Sequence, residues 1–279
     1  MINMAVYGLN KQRWFQVISA YSGWLMDGYT TIAYALVAVT VSTVFFPSTI
    51  GIYGLIATFG GLAVEEIARP VGSVALGDLR IIIDPFLTGN PKAPVRADEI
   101  KDVKYVLVTH NHFDHINDAF KIARNNNAKV IGIYELTMYP DRDGFPDENI
   151  IGMNKGSLSD LGDISIGMVN AVHSGNESGF IIRKNGVTIY HAGDTAFFGD
   201  MRYIREFYHP DIAMLPIGGF YTMGPMEAAR AAELIGAKIT FPMHYGTFPA
   251  IDADPKKFKE LSDKYTKVVI LNPGDEYTL

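Results

Sequence analysis

Cysteine is absent from all 279 residues. Disulfides, thiolate metal sites and a cysteine nucleophile are thereby excluded, and histidine and carboxylate remain as the strong metal ligands. The absence also fits an intracellular protein. Charge is sparse: 19% of residues are charged against 48% hydrophobic. A formal net charge of −6 supplies no overall attraction to nucleic acid or to an anionic membrane. Internal repeats and low-complexity tracts are lacking. Histidine numbers only seven, so each can be judged singly.

The scarcity of charge is uneven. From Trp24 to Phe46 the only charged residue is Asp27, and Ile32 to Phe46 carries none. Pro47 ends this run, and a second apolar run extends from Ile50 to Val64. A helix needs about 20 apolar residues to cross a bilayer. The first run meets that length; the second does so only by continuing through Glu65, Glu66 and Arg69 toward Leu76. A secretory signal is excluded, because the first run is too long and no small-residue cleavage site follows it. Beyond about residue 80, charge, turns and short apolar runs mix in ordinary proportion. This divides the chain into a hydrophobic helical hairpin, residues 1–79, and a second domain, residues 80–279.

GWLMDGYTTIAYALV, the FFP of Phe45 to Pro47 and ARPVGSVALGDL (Ala68 to Leu79) resemble the first two transmembrane helices of a major facilitator superfamily transporter. The resemblance implies membrane association through residues 14–76. Lys11 and Arg13 precede the first span, and Arg69, Arg80 and Lys92 follow the second, which places both ends in the cytoplasm. Asp27, Glu65 and Glu66 oppose insertion. A buried helical hairpin and an accidental fusion are the alternatives.

Tyr105 to Thr109 (YVLVT) reads as a buried strand. Directly after it stands His110-Asn-His112-Phe-Asp114-His115. Histidines two apart on an extended segment converge on one metal. Asp114 and His115, at the turn into a helix beginning near Ile116, reach a second beside it. His173 ends an alternating strand from Ile164 to Val172. Asp194 follows the strand Val187 to His191, itself reached through an Asn185-Gly186 hairpin turn, and His244 follows the strand Lys238 to Pro242. All three fall on strand-end loops, where scaffolded ligands sit. His191 reads as packing or as support for Asp194, His209 as a loop residue, and Asp84 as a turn or supporting residue.

The HxHxDH pattern is the signature of the metallo-β-lactamase superfamily. DPFLTGNPKAP, IYHAGDTAFFGDM, LPIGGFYTMGP and PMHYGTFP further resemble a widespread family of metal-dependent hydrolases related to the L-ascorbate-6-phosphate lactonases. The likeness runs from about Ile81 to the C-terminus. It implies an α/β fold, a four-layer αββα sandwich, in a cytoplasmic catalytic domain. It also implies two divalent metal ions, zinc, manganese or iron, with His110, His112 and His173 on the first. Asp114, His115 and His244 hold the second, and Asp194 bridges. Such a pair holds a hydroxide aimed at a small-molecule ester, lactone or phosphoester. Asp114 is the catalytic candidate, as ligand, as orienter of the nucleophile or as proton donor to the leaving group. Tyr245 and Thr247 are candidate substrate contacts, and Phe220 replaces a residue commonly polar in relatives.

Relatives open with a strand of the form GHSAFLI, for which the sequence shows no counterpart. The sandwich is therefore expected to lack its usual first strand and to leave the strand Arg80 to Asp84 unpaired on one edge. A catalytically impaired, membrane-associated fusion protein is the competing reading. A nuclease of the same superfamily ranks lower, since the chain has neither an inserted domain nor a basic surface. Helices are expected over Ala97 to Val103, Ile116 to Asn126, Asp200 to Tyr208, Pro225 to Ile235 and Pro255 to Tyr265, two of them opened by proline.

Overall fold

A computed structural model describes residues 72–139, 142 and 144–278. The expected hairpin lies outside the described residues except for its last few, and those form part of a sheet. Strand β1 (Ser73–Leu76) pairs antiparallel with β2 (Leu79–Ile83), in a register that sets Ser73 opposite Ile82. The turn between them has Gly77 at a φ of 70°, which an L side chain rarely adopts. The expectation of a sandwich with a bare edge at this strand is corrected: β1 covers the outer edge of β2. Membrane association running through Leu76 is corrected too, because Ser73–Leu76 is committed to the sheet. The rest of the expected second span lies outside the described residues. Among the described residues no helix is long and apolar enough to cross a membrane.

The first sheet continues with β3 (Tyr105–Val108), β4 (Lys129–Ile133) and β5 (Ile150–Met153), in spatial order β1-β2-β3-β4-β5, and is parallel from β2 onward. All four residues of β3 are buried. A parallel strand covered on both faces reads as a continuous apolar run, which is why YVLV does not alternate. The second sheet contains β6 (Leu158–Asp160), β7 (Ser165–Val169), β8 (Gly179–Lys184), β9 (Val187–His191), β10 (Ile212–Pro216), β11 (Ile239–Met243) and β12 (Lys267–Val268). Its order is β12-β11-β10-β9-β8-β7-β6, antiparallel from β6 to β9 and parallel from β9 to β12.

Alternation along β8 shows how the layers stack. Phe180 and Ile182 enter the core shared with the first sheet, while Ile181 enters a second core on the opposite face. Helices α1 (Phe113–Ile116) and α2 (Ala119–Asn126) follow β3, and α2 packs Ala119, Phe120, Ile122 and Ala123 into the first core. The second core is closed by α3 (Met201–Tyr208), α4 (Pro225–Ile235) and α5 (Pro255–Ser262). The order helix, sheet, sheet, helix is the expected αββα sandwich.

Two expected helices differ. Ile116 to Asn126 is broken after Ile116, because Asp118 directs its carboxylate across to another loop. Ala97 to Val103 forms only a turn. Its buried Ala97, Ile100 and Val103 have helical spacing, but Asp102 sits at a φ of 60°, where no right-handed helix continues.

Candidate metal centre

Every candidate ligand sits past the C-terminal end of a strand. β3 delivers His110; the chain stays extended through His112 (φ −70°, ψ 150°) and then turns into α1, which carries Asp114 and His115. β7, β9 and β11 run in one direction and lead to His173, Asp194 and His244. Residues from both sheets therefore meet at one edge.

Their donor atoms gather in three overlapping groups: His110 with His112 and His173, His110 with His115 and Asp194, and Asp114 with His115 and His244. Within each group the atoms lie within 4.8 Å of one another. His112 Nδ1 is 3.0 Å from His110 Nε2 and 3.3 Å from His173 Nε2. Asp194 Oδ2 is 3.5 Å from His115 Nε2, 3.6 Å from His173 Nε2 and 3.2 Å from His244 Nε2. His244 Nε2 is in turn 3.5 Å from Asp114 Oδ2. All seven expected ligands are thus brought together.

Outer hydrogen bonds orient two of the rings. Asp84 Oδ1 accepts the Thr109 backbone N–H at 2.8 Å, and Asp84 Oδ2 accepts the Thr109 hydroxyl at 2.7 Å. With its proton so committed, Thr109 Oγ1 accepts from His110 Nδ1, 3.0 Å away. His110 Nε2 then carries its lone pair toward the cluster. Asp84 Oδ2 also accepts His115 Nδ1–H at 2.9 Å, which turns His115 Nε2 inward in the same way. The expectation of a supporting role for Asp84 agrees with this geometry. His191 is buried and its Nδ1 accepts the Gly193 N–H at 3.2 Å, beside Asp194.

Burial and neighbouring charge set the protonation. Burial, followed by repulsion from His115, pushes His110 down to about 3 and keeps it neutral. Burial opposes charge on His115, but Asp84 and Asp194 outweigh it and hold that ring well above the ordinary histidine value. Burial likewise opposes ionisation of Asp84, Asp114 and Asp194. It is outweighed by His115 at Asp84 and Asp194 and by His244 at Asp114, and all three fall below the usual carboxylate range. Three ionised carboxylates and the inward lone pair of neutral His110 make a cluster that attracts cations, and a bound cation would take the place of the proton on His115 Nε2. Unpartnered atoms point the same way. His115 Nε2, Asp194 Oδ1 and both ring nitrogens of His244 are buried without a hydrogen-bond partner, each a cost of about 1–3 kcal/mol. Imidazole and carboxylate donors in this arrangement fit zinc, manganese or iron.

Tyr245 is half-buried and packs against the second core, where burial raises its hydroxyl above the ordinary tyrosine value. Thr247 is half-buried on the same loop. Phe220 is 83% exposed, and His209 is a left-handed residue ending α3, consistent with its expected loop role. Sequence reading passed over Asp118. Buried at the start of α2, it accepts the backbone N–H groups of Leu87 (2.8 Å) and Thr88 (2.7 Å) and the Thr88 hydroxyl (2.6 Å). It ties the loop after β2 to the ligand segment. The only sequence signal was an acid set among Ile116, Ala119 and Phe120.

Residues 79–245 match the family described as Beta-lactamase superfamily domain. A UPF0173 metal-dependent hydrolase of Pyrococcus horikoshii is 48% identical over 212 residues, covering 73% of this chain and 93% of that one. This chain belongs to the UPF0173 metal-dependent hydrolase family. The UPF0173 protein of Archaeoglobus fulgidus is 44% identical to this hydrolase over 217 residues, covering 72% of the one and 92% of the other. Among solved structures, Igni18, a metallo hydrolase of Ignicoccus hospitalis, superposes on the hydrolase with a TM-score of 0.67 at 36% identity, covering 74% of this chain and 94% of its own. The metallo-beta-lactamase fold protein YhfI of Bacillus subtilis shares the fold at 16% identity and a TM-score of 0.57, covering 73% and 89%.

Proposed function

We propose that this hydrolase binds two divalent cations, zinc, manganese or iron. His110, His112 and His173 hold one, Asp114, His115 and His244 hold the other, and Asp194 lies between them. The observation that carries this reading is the position of Asp194 Oδ2, which borders His173 on one side and His115 and His244 on the other at 3.2–3.6 Å. When bound, such a pair of cations supplies the charge that acidifies water and polarises a substrate oxygen.

The chain's own residues orient and exclude. Asp84 and Thr109 fix the rings of His115 and His110. Asp114 has a side chain 17% exposed, against 4% for Asp194, so it is the carboxylate that meets the substrate. Its other oxygen, Oδ1, is the candidate to accept the proton of the attacking water and return it to the leaving group. Thr247, with Tyr245, contributes contacts to a small-molecule ester, lactone or phosphoester.

We place the start of the catalytic domain before Ser73, since β1 and β2 form one hairpin. A cytoplasmic domain tethered through the apolar run Trp24 to Phe46 accommodates that boundary. The expected impairment rested on an uncovered β2, an edge that β1 covers.

Elemental analysis of the purified full-length protein, with His112→Ala as control, tests the proposal. About two transition-metal ions per chain, lost in the control, support it; little or no metal in the full-length protein overturns it. Loaded protein that hydrolyses neither p-nitrophenyl acetate, nor a γ-lactone, nor bis(p-nitrophenyl) phosphate overturns the substrate class.

A further inference from the structure

Three phenylalanines, from the loop after β2, the start of α1 and the loop after β11, meet beside the metal centre. Phe86 lies two residues past Asp84, Phe113 stands between His112 and Asp114, and Phe248 follows His244 by four residues. The Phe86 and Phe113 ring centroids are 5.7 Å apart and nearly perpendicular, at 88°. Phe248 is 6.0 Å from Phe86 and 6.3 Å from Phe113. Phe86 and Phe113 come from the first sheet and Phe248 from the second, so the contact joins the two walls of the ligand cluster. Chain connectivity alone holds the Cα of Phe113 about 3.8 Å from those of His112 and Asp114.

A cluster that served only to tie loops together would bury its rings. Phe113 is instead 63% exposed. A single exposed aromatic needs no explanation, but this one leans on two others and sits inside the ligand motif. The same loops carry a cation. Lys92 Nζ lies 3.3 Å from where a Cβ would stand on Gly246, two residues before Phe248. Among the described residues no carboxylate pairs with this ammonium. The result is an apolar, aromatic face with positive charge at its edge, next to the proposed cations.

We infer that Phe86, Phe113 and Phe248 form the subsite for an aryl substituent on an anionic substrate, with Lys92 flanking it. The inference rests on the hydrolase reading of the metal centre and adds a substrate class to it: anionic phosphoesters bearing a flat apolar group are preferred over those bearing a methyl. Edge-to-face packing on the exposed ring, with loss of its hydrated surface, favours aryl over methyl by about tenfold.

The test uses metal-loaded full-length protein, with metal content measured in every sample, and titrates phenylphosphonate and methylphosphonate calorimetrically. The wild type should bind the phenyl compound about tenfold more tightly. That ratio should fall to about one to three in Phe113→Ala and in Phe248→Leu, the second being the conservative variant should the first disturb the ligand segment. Equal binding of the two phosphonates by the wild type, or a ratio that survives both substitutions, overturns the subsite. Loaded protein that binds neither compound also overturns it while leaving the metal centre intact. Protein that carries no metal overturns the hydrolase reading and this inference with it.

Discussion

Asp84→Asn isolates one step in the construction of the centre. The Thr109 backbone N–H, 2.8 Å from Asp84 Oδ1, requires an oxygen opposite it, so the introduced amide has a single acceptable orientation. Its NH2 group then stands where Asp84 Oδ2 accepted from Thr109 Oγ1 at 2.7 Å and from His115 Nδ1 at 2.9 Å. Thr109 Oγ1 can rotate and accept. In the metal-loaded protein, where His115 keeps one proton on Nδ1, that nitrogen can accept only by giving it up, and the proton moves to Nε2, the atom aimed at Asp194 and the cluster. A ligand lone pair becomes an N–H. The backbone contributes little, because asparagine tolerates the φ of 48° at this position nearly as well as aspartate.

Loss of such a supporting carboxylate weakens metal binding by about 10–100-fold, or about 1.4–2.8 kcal/mol. Competition against a chelator of known affinity measures it. The decisive comparison is a double-mutant cycle. If Asp84 acts through the His115 ring, Asp84→Asn should cost little further in a His115→Ala background. A wild-type affinity in Asp84→Asn, or an equal loss in both backgrounds, would refute the reasoning.

Other perturbations test the frame around the centre. Asp118→Ala removes three hydrogen bonds, one of them to the buried Leu87. Thr88 is exposed and water replaces part of the loss, so a destabilisation of about 2–4 kcal/mol is expected; an unchanged thermal midpoint would show that the loop does not depend on this carboxylate. Gly175→Ala places a Cβ 2.6 Å from Asn111 Oδ1 and 3.0 Å from the His112 ring at a φ of 80°. Displacement of His112 should lower retained metal and cost about 1–2 kcal/mol of stability, and wild-type metal content after dialysis would contradict it. Asp163→Asn removes the charge paired with Lys104 and leaves a single carbonyl oxygen to accept the Tyr105 hydroxyl, 2.8 Å away. Burial works against the Asp163 carboxylate, but Lys104 and Tyr105 outweigh it and lower its pKa in the folded state. Its stabilisation is therefore present above the ordinary aspartate range and is lost as the pH falls through the lower folded value. Tyr105, pushed up to about 12 by burial and Asp163, keeps its proton throughout. The substitution should cost about 1 kcal/mol at neutral pH and progressively less in acid; a cost that grows in acid would reverse the assignment.

The candidate ligand set was legible because its members announce themselves locally. Four candidate donors fall within six residues after a buried strand, and the remaining three each end a strand of readable pattern. The sandwich was expected from the family likeness alone; its physical basis, a uniformly buried β3 and a β8 that alternates between two cores, is visible only in the structure. What escaped depends on contacts distant in sequence. Asp118 breaks a helix that periodicity would continue, because its carboxylate is used by Leu87 and Thr88, about thirty positions earlier. β1 is four residues long, and the likeness of Ala68 to Leu79 to a transporter segment outweighed a pattern too short to speak for itself. The aromatic face draws on residues 86, 113 and 248, and no window of sequence contains all three.

Backbone conformation was hidden more completely, and it bears most directly on the centre. Asp84 and His244 each stand one residue past a strand, β2 in one sheet and β11 in the other, and both are left-handed, with φ of 48° and 54°. For a residue with a side chain this costs about 1–2 kcal/mol. Glycine at either position would relieve the strain, and a reading by local preference would place it there. Glycine would also remove the carboxylate that orients His115 or the imidazole beside Asp114 and Asp194. The sharp turn redirects the chain at the sheet edge while the side chain is retained, and both sheets use the same device at the same place. The violation of local preference therefore coincides with the centre because the cluster requires both the turn and the functional group.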